Sequence, residues 1–550
     1  MKKQTPLWLL FSLLSGILAS LPLVIDAIPY LSFLLFVPYF AFLYTRQKGT
    51  RLGFYYLSGL LFYLGYHMGA FSFFAAMYPL EFTGIGPLGS IAVLFAAMLL
   101  LPLFQALFAA ISILLLGCMR KWGLLRIPLF FSLALASLYT LFAFAQNFTW
   151  AGVPWASTAV GIASSPLIVQ GASLLGTTFL TFFIVFVNAA LAEGLIHLCA
   201  ARSKAALVAL SVAFLLFSSQ LLLGAARLSR VNDAKGTITV ALIQGAYPAD
   251  TIDFDPYDHV AVCEEEALAA AKEAEERGIA LDLMLWAESV CPDAIQWDPV
   301  MQVWFSEIAE KTGVTQVIGT FSSEEAKDGE LGYYNALYVF HPGGTVGEEN
   351  YKKRRPVPFG EYLPMASLFE TVLPVLTEIS MLSRDTTAGK EPTLLPIGEN
   401  GLGALICFDS IYPALARASV KNGASLLLLS TDDSWFDGSF GKSLHYRHAV
   451  LRAVENGRTV VRTANTGQSG VIDPYGRTVF AIPADTPAYG IASADLSTHT
   501  TLYTLIGDVF PPLCLAFLFS TPLFCLLRRK KHVTKGSYDG SRNSHSPRRP

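Results

Sequence analysis

The sequence predicts a polytopic α-helical membrane protein of eight spans, with a layered α/β domain inserted before the last of them. Three observations carry this expectation. The 550 residues are 53 % hydrophobic and only 15 % charged, with a mean hydropathy of +0.47, which no ordinary water-soluble chain shows. The apolar residues crowd into 7–224 and 503–527, whereas 225–502 carries most of the acids and has a globular composition. Within that middle part, short β-rich runs alternate with helical patterns, as stacked α and β layers require. The net charge of −3 selects no class of partner, and no basic face with interleaved aromatics points to nucleic acid.

A bilayer core about 30 Å thick needs roughly 20 apolar residues per helix. Such stretches fall near 7–24, 29–45, 52–76, 88–117, 127–146, 166–197, 205–224 and 504–527. The first is read as a span rather than a signal peptide, because its apolar run is long and no small-x-small cleavage site follows. Charge then orients the chain. Lys2 and Lys3, Arg46, Lys48 and Arg51, Arg120, Lys121 and Arg126, Arg202 and Lys204, and Arg528 to Lys531 occupy one set of loops and ends. The alternate loops, near 22–28, 77–87 and 147–165, contain no Lys or Arg. Both termini are therefore expected in the cytoplasm and 225–502 on the outer side. The expected units are a seven-helix membrane domain (1–224), an extracytoplasmic domain (225–502), an eighth membrane helix (503–527) and a polar, disordered cytoplasmic tail (528–550).

In the outer domain, strands are expected at 237–247, 280–289, 314–323, 402–408, 424–430 and 458–465, with hairpins at 334–346 and 470–482. Helices are expected at 258–277, 299–312, between 408 and Gly423, and at 443–456, most of them stopped by glycine. Neither a GxGxxG nor a Walker loop is present, which argues against nucleotide chemistry.

Seven cysteines occur, of which Cys263, Cys291 and Cys407 lie on the outer side. Three is an odd number, so one is expected to stay free unless it pairs between chains. Cys407 ends the strand LGALIC, where sites of α/β domains collect. It reads either as a small buried hydrophobe or as a nucleophile. Glu288 closes the apolar run LMLWAE and is either a cap or buried ion-pair partner, or a general base in apolar surroundings. In YKKRRPVPFGE (351–361) the charges of Lys352, Arg354 and Arg355 read as a solvated face, while the proline-stiffened turn fixes at least one cation against the core. A thiol, a carboxylate and an ammonium suffice for acyl transfer through a thioester: base, nucleophile and, with a backbone N–H, oxyanion support.

The order Glu…Lys…Cys on alternating strands resembles the nitrilase (carbon–nitrogen hydrolase) superfamily, and its insertion before the last of eight spans resembles the apolipoprotein N-acyltransferase family. The resemblance covers essentially the whole chain and implies an αββα sandwich. It implies catalytic roles for Glu288 (in WAES), Lys353 (five residues before Pro358 of PFGE) and Cys407. It implies supporting or substrate-side roles for Glu361, Phe408, Asp409, Trp435 in DDSWF, Arg462 and Asn465, with Gly467 in the same stretch. The chain departs from the family in having Cys407-Phe408-Asp409 for Cys-Tyr-Glu, Ala287 for a proline, and Phe254 where a tryptophan is common.

What the resemblance implies chemically is a ping-pong transfer of the sn-1 chain of a phospholipid, commonly phosphatidylethanolamine, through the Cys407 thioester. The acceptor is the α-amine of an apolipoprotein's N-terminal diacylglyceryl-cysteine, and the setting is the bacterial inner membrane with the catalytic domain on the periplasmic side. No metal or cofactor is called for. Asp409 is expected to be structural, and Asp432 and Asp433 to shape the site. His445 and His448 have ligand spacing but lack a third ligand nearby; Cys291 is the rival nucleophile. Met365, Leu368, Phe369, Val372, Leu373, Leu376 and Ile379 fall at helical spacing in 362–382, as a core-facing helix or as a movable arm admitting lipid tails. Two alternatives stand beside acyl transfer: a membrane-anchored amidase that sends its thioester to water, and a transporter or receptor with an outer binding domain. Against the latter, the spans hold few ionisable residues beyond His67.

Overall fold

A computed structural model describes residues 5–80, 86–123, 127–230, 234–248, 255–325, 331–343, 346–367 and 385–521. The N-terminal part is a bundle of apolar helices. Among the described residues, Pro6–Val24, Pro87–Lys121, Ala172–Cys199 and Ser203–Leu228 are long and apolar enough to cross a membrane, and Pro29–Tyr44, Phe130–Ala145 and Phe510–Thr521 are shorter apolar helices. Leu52–Ala70 has the length, 19 residues, but is diluted by Tyr55, Tyr56, Tyr63 and Tyr66. Phe254, residues 368–382 of the expected arm and the 528–550 tail lie outside the described residues.

One expectation about the spans needs correcting. Besides His67, the helix Ala172–Cys199 carries Glu193, which is 1 % exposed. Its carboxylate accepts the Leu129 N–H at 2.9 Å and the Ser132 hydroxyl at 3.1 Å. It thus satisfies orphan donors at the start of Phe130–Ala145, where no side chain of that helix caps its own end.

The globular part has the layered architecture expected. Its strands are β1 (Gly236–Gln244), β2 (Leu283–Trp286), β3 (Thr315–Glu325), β4 (Leu331–Phe340), β5 (Val346–Lys352), β6 (Leu394–Ile397), β7 (Asn400–Ile406), β8 (Leu427–Thr431), β9 (Val460–Ala464), β10 (Ser469–Ile472), β11 (Thr478–Ile482) and β12 (Ala488–Leu496). They form two sheets, in the orders β12-β1-β2-β3-β4-β5 and β11-β10-β9-β8-β7-β6. β6 and β12 were not expected from the sequence. β6 has only four residues, and β12 (AYGIASADL) mixes small and polar residues and depends on antiparallel pairing with β1.

Period-two alternation divides each strand between two cores. Val240, Leu242, Leu285, Val317 and Leu337 meet Leu402, Ala404, Ile406, Leu428 and Val461 between the sheets. The alternate residues Ala241, Ile243, Met284 and Trp286 face outward onto residues of Pro256–Glu276 and Pro299–Thr312. Leu405, Leu427 and Leu429 face Pro413–Lys421 and Gly441–Asn456 in the same way. The order of layers is αββα. Helix ends follow local chemistry: the Asp298 carboxylate caps Pro299–Thr312 by accepting the Met301 N–H at 3.0 Å, and Gly313 ends it at φ 64°.

The globular part docks on the end of the bundle whose loops lack Lys and Arg. Trp155 lies against Phe408, Phe436, His445 and His448, and Phe73 meets Phe436 and Phe440 edge-on. Arg447 of Gly441–Asn456 donates to the carbonyl oxygens of Pro22 (2.8 Å) and Leu23 at the C-terminus of the first helix, and pairs with Asp26 at 3.2 Å. A cation there also meets the negative end of the helix dipole. Glu455 accepts the Thr177 N–H at 2.9 Å, capping Ala172–Cys199 where Gly176 breaks it (φ 80°, ψ 177°). At the opposite end, Arg120 donates to the Arg46 carbonyl at 2.6 Å, joining two cationic loops.

Replacing a buried charge that satisfies carbonyls leaves those acceptors orphaned. Arg447→Ala is expected to destabilise the protein by about 3 kcal/mol. Lys272→Ala, which removes an exposed pair with Glu276, is expected to cost less than about 0.5 kcal/mol. Thermal unfolding in detergent, followed by circular dichroism, measures both.

Candidate active site

The carboxyl ends of the parallel strands β2, β7, β8 and β9 converge, and the expected site residues follow them. Glu288 stands two residues past β2, at a turn where Ser289 takes φ 55°. Gly319 of β3 passes so close that a Cβ on it would sit 2.2 Å from the Ala287 carbonyl oxygen. Lys353 follows β5. Its ammonium donates to Glu288 Oε1 at 2.8 Å and to Glu361 Oε2 at 2.9 Å, and the three side chains are largely buried.

Asn335 of β4 closes the group. Its Nδ2 donates to Glu288 Oε1 and to Glu361 Oε1, each at 2.8 Å, and its carbonyl accepts the Lys353 N–H at 2.8 Å. Sequence reasoning missed it; the available signal was an amide inside the apolar strand YNALYVF. The backbone N–H of Asp432 donates to Glu288 Oε2 at 2.9 Å, so both oxygens of this carboxylate are fixed. Burial opposes the charge on Lys353, but the flanking carboxylates outweigh it and hold its pKa well above the ordinary range.

Cys407 is the first residue past β7 and takes φ 44°, a left-handed conformation unusual for a residue with a Cβ. Burial pushes its thiol well above the ordinary range; the charge of Glu288 adds to this and the Lys353 ammonium opposes it. Two carboxylates and one ammonium leave the pocket with a net negative charge, so a free thiolate would be a second uncompensated anion. Passing the thiol proton to Glu288 leaves the total charge unchanged. The geometry therefore fits general-base activation rather than a resting thiolate.

Asp409 is fully buried and acts as a clip. Oδ2 accepts the Tyr351 hydroxyl at 2.7 Å and the Ile406 N–H at 3.2 Å; Oδ1 accepts the Arg355 N–H at 2.8 Å and the Arg354 N–H at 3.2 Å. It thereby ties the nucleophile turn to the segment after Lys353. Phe408 turns away, toward Trp155 and Tyr412. The expectation of a solvated cationic face at Lys352, Arg354 and Arg355 is corrected here. Arg354 is buried and donates to the Leu415 carbonyl at 2.7 Å, Arg355 lies over the Tyr412 ring, and Lys352 bonds Glu324 and covers Tyr334. Proline-stiffened backbone holds the whole run against the domain.

The turn after β8 forms the back wall. Asp433 is wholly buried between Arg462, at 2.5 Å, and His445 Nδ1, at 2.7 Å. Burial opposes its ionisation, yet these two neighbours hold its carboxyl well below the usual range. Gly467 leaves room for Asp433, since a Cβ on it would sit 2.1 Å from Oδ2. Asn465 donates to Asp432 Oδ1 at 3.2 Å and to the Tyr247 carbonyl at 2.7 Å. Trp435 sits half-buried on the short 3-10 turn Ser434–Phe436. His445, considered from sequence only as half of a ligand pair, approaches the Cys407 carbonyl at 3.1 Å. His448 points elsewhere, to the Trp155 carbonyl at 3.3 Å. Among the described residues no group of three or more potential ligands is placed to hold a metal. Cys263 and Cys291 both carry free thiols. Cys291 lies buried against the Asp293 carbonyl at 3.6 Å; burial raises its thiol as it raises that of Cys407, but only at Cys407 does the Lys353 ammonium oppose the rise.

The chain is similar to known proteins along most of its length. Residues 239–503 match the carbon-nitrogen hydrolase family, and residues 15–190 match the apolipoprotein N-acyltransferase N-terminal domain. The chain is 30 % identical over 516 residues to the apolipoprotein N-acyltransferase of Geobacter metallireducens, covering 92 % of this chain and 93 % of the relative. It is 28 % identical over 406 residues to that of Brucella melitensis biotype 1, covering 73 % of each. Among solved structures, an amidase from Nesterenkonia sp. is 20 % identical with a TM-score of 0.35, covering 50 % of this chain and 94 % of the amidase.

Asp432 provides a pH test of the back wall. Burial pushes its carboxyl from 3.8 up to about 6, with relief from Ser434 and a further push from the charge of Glu288. A carboxyl whose pKa is raised on folding favours the folded state below its unfolded pKa, and that contribution is lost as pH rises through the folded value. Asp432→Asn is expected to flatten the fall in stability between about pH 4 and about pH 6, a slope of about 1.4 kcal/mol per pH unit at most. Thermal unfolding across that range reads it.

Proposed function

The chain belongs to the apolipoprotein N-acyltransferase family, and from that premise we propose that Cys407 carries an acyl group, as a thioester, from a membrane phospholipid to the α-amine of a lipoprotein's N-terminal diacylglyceryl-cysteine. The observation that carries this reading is the buried Lys353 ammonium held between Glu288 and Glu361 at the strand ends where Cys407 also stands.

In this reading Glu288 takes the Cys407 proton as the sulfur attacks the donor's ester carbonyl. The Lys353 ammonium and the Phe408 N–H receive the oxyanion. Collapse expels the lysophospholipid alkoxide, which takes the proton from Glu288 and leaves the thioester. The acceptor amine then attacks, Glu288 takes its proton, and amide formation returns the thiol. Glu361, Asn335 and Asp409 hold the acid–base pair and the nucleophile turn; Trp435, Arg462 and Asn465 shape the wall.

Phosphatidylethanolamine is the proposed donor and the sn-1 chain the proposed cargo. A lipid donor is supported by a run of rings. Phe108, exposed on an apolar helix, leads through Phe104 (4.8 Å) and Trp150 (6.3 Å) to Phe359 (5.9 Å), two residues before Glu361. The proposed setting is the bacterial inner membrane, crossed eight times, with residues 225–502 on the periplasmic side; the distribution of Lys and Arg and the docking of the domain on the loops without them support it.

Incubating the protein with labelled phospholipid alone is expected to give a stoichiometric acyl adduct on Cys407 by mass spectrometry. The adduct should be absent in Cys407→Ser and slowed by about 10³-fold or more in Glu288→Gln. Adding a diacylglyceryl-cysteine peptide should discharge it onto the amine. Discharge onto water at the same rate without the peptide would favour a hydrolase instead.

A further inference from the structure

We propose that His445 is held as an imidazolium and serves as a positioning residue, fixing and polarising the Cys407–Phe408 peptide so that the Phe408 N–H is aimed and strengthened for the oxyanion. This rests on the reading of Cys407 as the acylated nucleophile.

Each contact of the His445 ring places a proton. His445 Nδ1 lies 2.7 Å from Asp433 Oδ1, and Nε2 lies 2.9 Å from Ser410 Oγ and 3.1 Å from the Cys407 carbonyl oxygen. Ser410 Oγ is itself 2.7 Å from that carbonyl. The carbonyl only accepts, and Ser410 has a single proton to give. Asp433 also accepts from Arg462 and Thr431 and is kept ionised by the Arg462 guanidinium beside it, so Nδ1 must donate to it.

Suppose His445 were neutral with its proton on Nδ1. The Nε2 lone pair would then face the carbonyl lone pairs, and Ser410 would have to choose between them. Suppose instead the proton were on Nε2; the Nδ1 lone pair would face a carboxylate at 2.7 Å. With both nitrogens protonated, Nδ1–H goes to Asp433, Nε2–H goes to the carbonyl and Ser410 Oγ, and Ser410 donates to the carbonyl. The contacts with Asp433, Ser410 and the Cys407 carbonyl are then all hydrogen bonds, and only the longer approach of Arg462 Nη2 to Nδ1, at 3.5 Å, is not.

Charged groups face His445 from several elements. Arg462 on β9 opposes the charge from 3.5 Å, as does Arg452 on its own helix, although Glu455 neutralises Arg452 at 2.8 Å. Favouring it are Asp433, nearer than Arg462 and hydrogen-bonded, and the Trp155 ring, whose centroid lies 5.1 Å away and presents π electrons to a cation. Burial and interaction with Arg452 and with His445 itself keep His448 well below the ordinary range, so it adds no second charge.

In a trans peptide the carbonyl and the next N–H point in opposite directions. A cation on the Cys407 carbonyl therefore directs the Phe408 N–H away from the back wall and increases its donor strength. The left-handed φ of Cys407 is the conformation that this grip maintains.

Two measurements test it on the full-length protein in detergent. In ¹⁵N-histidine-labelled protein near neutral pH, the His445 resonances, identified by their loss in His445→Gln, should show a proton on both ring nitrogens. A single protonated nitrogen overturns the proposal without touching the thioester mechanism. Second, His445→Gln keeps a donor but loses the charge. It should slow acylation of Cys407 by labelled phospholipid about 10- to 100-fold, mostly in kcat. Alkylation of Cys407 by iodoacetamide, which forms no oxyanion, should keep its wild-type rate. Equal slowing of both reactions, or of neither, sinks the positioning role. A wild-type protein that forms no acyl adduct at all sinks the thioester reading instead.

Discussion

Lys353 keeps its charge out of water because two carboxylates share it. Asn335 adds donors to both, and the Asp432 N–H takes the remaining Glu288 oxygen. The strands that supply these groups are thereby held to one register: β2 for Glu288, β4 for Asn335, β5 for Lys353. Moving any of them by one residue would turn its polar group toward the other face and strand a buried charge. Burial and the charge of Glu288 raise the Cys407 thiol, while the Lys353 ammonium opposes the rise, which suits the proposed hand-over of its proton to Glu288.

The membrane helices take part in the site rather than merely carrying it. Phe408 and Ile411 of the nucleophile turn belong to the same apolar cluster as Phe73, Trp155 and the helix bundle. Arg452 donates to the Ser410 carbonyl at 2.9 Å and to Thr177 Oγ1 at 3.1 Å, so one buried guanidinium joins the nucleophile turn to the break in a membrane helix. The replacement of Tyr by Phe at 408 is at home in this setting, because the side chain faces rings and not polar partners.

Much of this was legible in the sequence. Apolar runs ended by Glu288 and Cys407, and a cation before a Pro-rich turn, single out these residues because burying such groups at strand ends is costly. The residues alone left a buried hydrophobe and a cap or ion-pair partner open, and the family resemblance chose between them. What stayed hidden depends on long-range pairing. β12 has no apolar run of its own and becomes a strand by lying against β1. Asn335 and His445 are single polar residues whose partners come from other elements, so spacing says nothing about them. Arg354 looked solvated because its acceptor, the Leu415 carbonyl, lies far along the chain. Glu193 was overlooked inside a span because its role is to cap a different helix.

The docking through Trp155 has a consequence for handling the protein. Phe408, Ile411, Tyr412, Leu444, Leu451 and Val454 are covered by membrane helices and not by a further layer of the sandwich. A soluble fragment cut at the boundary would present this greasy floor to water next to its own nucleophile. Such a fragment should clump, or borrow detergent to replace the missing helices, so reconstitution must begin from the intact chain.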